Sequence, residues 1–132
     1  MSKKTTGKSA IIITDGTEQI QKIAVMISEA IVGYKVKIYP AEKFEGNALL
    51  PCDIFIIGCE NPNPPSFAYL EELLSHINLA SRKCGVYSIK EKTLKYLSGI
   101  VKDCEAKMPG PLFAANGEIK KTDIKKWLKE IV

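Results

Sequence analysis

The segment Ala10-Ile11-Ile12-Ile13-Thr14-Asp15-Gly16-Thr17-Glu18-Gln19-Ile20 constrains the fold more than any other stretch of the chain. Its apolar run is continuous and rich in β-branched residues, the pattern of a strand buried on both faces. The run stops at a short hydroxyl-bearing turn that contains Gly16, and helical spacing begins at once. Ile20, Ile23, Ala24, Ile27, Ala30 and Ile31 recur at the three- and four-residue intervals of one helix face. A strand buried on both faces needs a layer on each side, so a parallel sheet covered by helices is expected. The turn itself places backbone N–H groups and the hydroxyls of Thr14 and Thr17 at the positive end of a helix. That is a seat for a phosphate or another anion.

The rest of the chain repeats the alternation. Helical spacing runs over 17–32, and Gly33 is placed to end it. Residues 35–39 alternate polar and apolar, as a half-exposed edge strand does, and Pro40 stops them. Residues 41–50 read as a connector with room for a short helix. A second fully apolar strand covers 53–58, and its exit, Cys59-Glu60-Asn61-Pro62-Asn63-Pro64-Pro65, is too proline-dense for regular structure. Ser66 is placed to cap a helix with Phe67, Leu70, Leu73, Leu74 and Ile77 on one face. Residues 84–88 form a short strand. A helix from Lys90 carries Leu94, Leu97, Val101 and Cys104, and the last strand is expected over 111–115. Asn116-Gly117 turns the chain, and Thr122 caps a final helix with Ile124, Trp127, Leu128 and Ile131 inward. Strands alternating with helices imply an α/β, three-layer α/β/α sandwich with right-handed crossovers.

The chain is 132 residues long, the size of one domain, and the expected plan is a flexible basic N-terminus over 1–8 and a single domain over 9–132. At this size roughly 68% of the unfolded surface is buried on folding, so the core needs no metal or disulfide. No apolar run approaches the length of a membrane span, and the N-terminus lacks a signal-peptide core. A cytoplasmic protein without a membrane partner is expected. The four cysteines, at 52, 59, 84 and 104, form no C-x-x-C pair, and Cys52, Cys59 and Cys84 sit in or beside apolar runs. Buried, reduced thiols are expected. With one histidine, His76, in a helical pattern, neither a zinc site nor a nucleophile–base pair is legible. The net charge of +4 comes from lysines in the N-terminus and from Lys120, Lys121, Lys125, Lys126 and Lys129. These read as a solvated helix face, with no aromatic interleaving for nucleic acid. Gly7-Lys8-Ser9 precedes a strand rather than following one, which excludes a phosphate-binding P-loop, and no G-x-G-x-x-G follows the first strand. The third strand ends Ile57-Gly58-Cys59, without the aspartate that a phospho-acceptor receiver needs there.

Three loops leave the carboxyl ends of the strands in such a sheet: Thr14-Asp15-Gly16-Thr17, the stretch from Gly58 to Pro65, and the loop after Tyr87. With the closing pattern Leu112-Phe113-Ala114-Ala115-Asn116-Gly117-Glu118 before a C-terminal helix, the chain resembles the flavodoxin family over essentially its whole length. It looks like a short-chain flavodoxin, without the inserted loop in the last strand. The resemblance implies a flavodoxin-like five-stranded parallel sheet of order 2-1-3-4-5, an FMN cofactor, and electron transfer between redox partner proteins. It places Thr14, Asp15, Gly16 and Thr17 around the FMN phosphate. Gly58, Cys59, Glu60 and Asn61 fall on the second flavin loop, and Tyr87 and Ser88 on the third. The chain departs from the pattern at several points. The first loop is shorter, and Asp15 puts a negative charge where a phosphate would sit. Like unit charges about 4 Å apart repel by roughly 4 kcal/mol at an effective dielectric of about 20. The second loop holds no aromatic: Phe67 reads as the first core residue of its helix, and Tyr69 is a weak stacking candidate. The third loop is short, and Tyr87 there reads equally as a residue that stacks near the flavin ring or as an ordinary strand-end tyrosine. Flavodoxins are acidic, whereas this chain is basic, which favours an acidic partner. The alternative reading is a flavin-free flavodoxin-like domain acting as an interaction or small-anion-binding module. A monomer or weak dimer is expected.

Overall fold

In the computed structural model, which describes residues 8–49 and 51–131, the first apolar run forms β1 (Ser9–Thr14) and feeds α1 (Glu18–Ala30). There follow β2 (Lys35–Pro40), β3 (Ile54–Gly58), α2 (Ala68–His76), β4 (Lys83–Ser88), α3 (Glu91–Lys102), β5 (Leu112–Phe113) and α4 (Lys121–Ile131). The five strands make one sheet of order β2-β1-β3-β4-β5, with every pair parallel, as expected. The order reverses between β1 and β3, and there Thr14 stands opposite Gly58, which in turn stands opposite Tyr87. The register therefore brings the carboxyl ends of the three central strands level with one another.

Strand alternation divides the core between two layers. Ile11, Ile13, Phe55, Ile57, Cys84 and Val86 face α2 and α3, where Leu70, Leu74, Leu97 and Val101 meet them. Ala10, Ile12, Ile54, Ile56 and Tyr87 face α1 and α4 and pack on Ile20, Ile23, Ile27, Ile124, Trp127 and Leu128. Gly85 makes room on this second face: a Cβ there would lie 2.6 Å from the Trp127 ring. Trp127 reaches over β4 and donates its Nε1–H to the Gly110 carbonyl at 2.9 Å.

Several expected boundaries shift, each for a local reason. The α1 helix ends at Ala30, Ile31 is already extended, and Gly33 at φ +87° turns the chain into β2 rather than closing the helix. Pro40 is the last residue of β2, tolerated because β2 is an edge strand. The connector after it carries two 3₁₀ turns, Ala41–Lys43 and Gly46–Ala48, with Phe44 and Leu49 buried in the core. Ser66 does not cap α2. The prolines lead into a 3₁₀ turn, Pro65–Phe67, and the helix begins only at Ala68. Thr122 lies inside the first turn of α4, and the Lys120 carbonyl accepts the Asp123 and Ile124 N–H groups. The last strand pairs over Leu112–Phe113 alone, with Ala114 adding one N–H bond to the Ser88 carbonyl. Cys104 lies past the end of α3 yet is buried.

Of the expected flexible segment 1–8, only Lys8 lies within the described residues. It is already tied in: its carbonyl accepts the Lys35 N–H at 3.0 Å, and its ammonium stands 5.6 Å over the Tyr34 ring. All four cysteines are free and buried. Among the described residues no helix is long and apolar enough to cross a membrane, and no peptide bond is cis.

Candidate functional site

At the carboxyl edge the polar side chains that the sequence singles out are bonded to one another. Thr14 is buried, donating its hydroxyl to Gln21 Oε1 at 2.9 Å and accepting the Gly16 N–H at 3.3 Å. Gly16 takes φ +83°, a left-handed conformation that suits glycine, and this reverses the chain into α1. Thr17 holds the N-cap position of α1 in extended geometry, but its hydroxyl does not cap the helix. It donates instead to Asp15 Oδ1 at 2.7 Å, and the Thr17 N–H donates to the same oxygen at 3.0 Å. Asp15 Oδ2 accepts the Glu60 N–H at 2.9 Å. One carboxylate thus joins the first loop to the second.

The second loop is also held from the other side. Ser88, fully buried, donates its hydroxyl to the Cys59 carbonyl at 2.7 Å and accepts the Lys90 N–H at 3.2 Å. Thr93 donates its hydroxyl to the Glu60 carbonyl at 2.8 Å. Lys90 Nζ donates to Asn61 Oδ1 at 2.6 Å and pairs with the Glu60 carboxylate at 3.8 Å. The Cys59 thiol donates to the Asn61 carbonyl at 3.3 Å. Gln21, Lys90 and Thr93 were not singled out by the sequence. A lysine before a helix and a threonine inside one carry no motif, so only the fold reveals their part.

Tyr87 lies beneath this network and not in it. Its ring is wholly buried on the α1 side, and its hydroxyl donates to the Ile20 carbonyl at 2.9 Å. Of its two readings Tyr87 sits as the strand-end tyrosine, and it braces β4 against the first turn of α1. Gly58 permits this, because a Cβ at that position would run into the Tyr87 ring. Phe67 is wholly buried, as expected of a core residue, and half-exposed Tyr69 accepts the Gly46 N–H at 2.9 Å through its hydroxyl. Burial, reinforced by Asp15 and Glu71, pushes the Cys59 thiol well above its ordinary pKa, and burial pushes Cys52 up to about 11. Neither is an activated nucleophile. His76 is exposed at the end of α2, with Nδ1 2.9 Å from both Ser75 Oγ and the Glu72 carbonyl oxygen. Among the described residues no group of three or more His, Cys, Asp or Glu is placed to hold a metal ion.

Outside the network lies an open cleft of about 400 Å³, lined by Asp15, Thr17, Glu42, Asn61, Pro64 and Ser66 among others. The donors expected of an FMN phosphate seat are present: the Thr17 N–H and hydroxyl, at the start of α1. They fit an anion in kind, but both already serve the Asp15 carboxylate. On the ring side, residues 59–65 supply no aromatic, and Ile89 and Lys90 are all that separates β4 from α3.

No protein-family model matches this chain, and no curated protein sequence matches it. Solved structures do. A short-chain flavodoxin associated with a non-canonical PDU bacterial microcompartment superposes with a TM-score of 0.79 at 10% identity, over 94% of this chain and 95% of that one. Oxidised flavodoxin 2 from Bacillus cereus gives 0.75 at 15% identity, over 93% and 97%. General stress protein 14 of Treponema denticola, solved in complex with FMN, gives 0.56 at 11% identity, over 94% and 95%. At such identities the likeness is one of architecture, and with the strand order and the two helical layers it establishes that this chain has the flavodoxin-like α/β fold.

Proposed function

We propose that this protein is a flavodoxin-type electron carrier that takes FMN at the carboxyl edge of its sheet, with the phosphate at the N-terminus of α1. The observation that carries the reading is the convergence of the Thr17 N–H and hydroxyl, at the start of α1, on a single carboxylate oxygen, that of Asp15, at the point where the strand order reverses. In open α/β sheets that is where ligands bind, and the flavodoxin-like fold supports the choice of ligand. When bound, FMN would supply the redox chemistry. The chain's own residues would do the holding. Thr17 would receive the phosphate, and Lys90, Ser88 and Thr93 would fix the second loop beside it. Tyr87 would support the first loop from beneath. The redox partner is proposed to be acidic, because α4 concentrates Lys121, Lys125, Lys126 and Lys129 on a chain of net charge +4. A cytoplasmic monomer or weak dimer belongs to the same proposal.

The test is a titration of cofactor-stripped protein with FMN, followed by quenching of flavin fluorescence. Saturable micromolar binding, weakened about tenfold or more by Thr17→Ala, is expected, since that change removes one hydroxyl donor to a charged group. Absence of binding at hundreds of micromolar FMN would overturn the carrier reading and leave a flavin-free domain that works through other contacts.

A further inference from the structure

We infer that the groove between α1 and α4 docks an amphipathic helix of a partner protein that carries acidic residues along one flank. The groove gives the acidic partner of the proposed function a place and a shape; it rests on that part of the reading and not on FMN. Each of the two helices follows a strand of the parallel sheet, so they run side by side in the same direction. The α1 helix stops at Ala30, and Ile31 is extended and buried. Side chains alternate along an extended chain, so Val32 faces outward. It is 84% exposed, the most exposed large apolar side chain among the described residues. Beside it lies a cleft of about 400 Å³ lined by Ala30, Val32, Lys125, Leu128 and Lys129 among others. A second cleft of about 150 Å³ adjoins it at Ala30 and Lys125 and extends to Met26, Glu29 and Lys121. A scattered exposed valine needs no explanation; one that walls a groove beside a row of cations does.

The cations are gathered on one side. Lys121, Lys125 and Lys129 recur every four residues and form one row, about 12 Å long, on the α1 flank of α4. Asp123 and Glu130, the carboxylates of the same helix, fall on the opposite flank by the helical repeat and line neither cleft. Among the described residues none of the three lysines makes an ion pair, and Glu29 across the groove pairs with none of them. Like charges four residues apart on a helix repel, so the free row is unfavourable and a facing row of carboxylates relieves it. A helix matches that row: its carboxylates at i, i+4 and i+8 repeat with the spacing of the lysines, and apolar residues one turn apart enter the two clefts. The chain's own N-terminal residues, with Lys3, Lys4 and Lys8, carry the wrong charge to lie there. A flat anionic membrane fits less well, because the apolar surface is recessed and no aromatic lines either cleft.

The probe is a synthetic helix-stapled peptide of about four turns, with Glu at i, i+4 and i+8 and Leu at i+3 and i+7. It is compared with a scrambled peptide of the same composition and with one that carries Lys in place of Glu. Binding to the full chain, with and without added FMN, is followed by backbone amide NMR. The acidic peptide is expected to shift Ala30, Val32, Lys125 and Leu128 together and to bind at least about tenfold more tightly than the other two. Lys125→Glu with Lys129→Glu should weaken it about tenfold or more, and Val32→Ser about threefold. All three positions are exposed, so the variants should fold, as their amide spectra would show. No shift of these signals at millimolar acidic peptide, or equal binding by the scrambled one, overturns the inference. If reversing the lysines weakens binding but Val32→Ser does not and the Ala30 and Val32 signals stay still, the groove falls and an acidic partner at α4 stands. If the basic peptide binds as tightly as the acidic one, both fall. None of these results depends on whether FMN binds. Co-sedimentation with phosphatidylserine vesicles that Val32→Ser abolishes, without peptide binding, overturns the inference in favour of a membrane surface.

Discussion

In the middle of the sheet, Ile12, Phe55 and Ile56 lose all their exposure to other apolar side chains. At its carboxyl edge, Thr14, Ser88 and Thr93 are buried as completely, and there the neighbours are hydrogen-bond partners. The first kind of burial is non-directional and depends on area and fit. The second is directional and pairwise, and each bond depends on one particular partner being in place. A flavodoxin-like frame thus needs only apolar strands of the right period. Its loops depend on a few long-range pairs, such as the Asp15 carboxylate with the Glu60 N–H.

The largest effect that sharpens the contrast is expected in the middle layer. Phe55→Ala should lower the unfolding free energy by about 3–5 kcal/mol, measured by urea denaturation, because a wholly buried ring leaves a cavity. A loss under about 1 kcal/mol would mean that this layer is more plastic than its packing indicates. At the edge a single bond is at stake. Thr93→Val leaves the Glu60 carbonyl without the hydroxyl now 2.8 Å away and should destabilise by about 1 kcal/mol. The same change should speed hydrogen exchange at Glu60, while Phe55→Ala should speed it across the sheet. The smallest effect is expected at Tyr96. Among the described residues its buried hydroxyl meets no partner in good hydrogen-bond geometry, although the Glu71 carboxylate stands near it, and burial together with that carboxylate holds its ionisation well above the ordinary range. Tyr96→Phe should be neutral or slightly stabilising, within about 0.5 kcal/mol, since it removes a buried polar atom that has no well-formed bond. A clear loss in thermal unfolding would show that the hydroxyl contributes a contact after all.

The same contrast explains what could be read from the sequence. The continuous runs in β1 and β3 and the helical spacing of α1, α3 and α4 identify their elements because apolar burial leaves a period in the chain. Element ends were less legible. Ser66 and Thr122 have capping side chains, but the prolines before α2 impose a 3₁₀ turn, and α4 starts from the Lys120 carbonyl. In the loops, Thr14, Asp15, Gly16 and Thr17 could be placed at the head of α1, and the awkward charge of Asp15 could be seen. Its bond to Glu60 could not, because the two residues meet only through the parallel register of β1 and β3. The two readings of Tyr87 stay open in the sequence for a related reason. Its burial depends on Gly58 standing opposite it on the neighbouring strand, a pairing that no local pattern records.

The most direct measurement is a crystal structure of the protein saturated with FMN. The expected result is a phosphate accepting the Thr17 N–H and hydroxyl in place of the Asp15 carboxylate. An Asp15 carboxylate still bonded to Thr17, with FMN bound elsewhere or not at all, would contradict it.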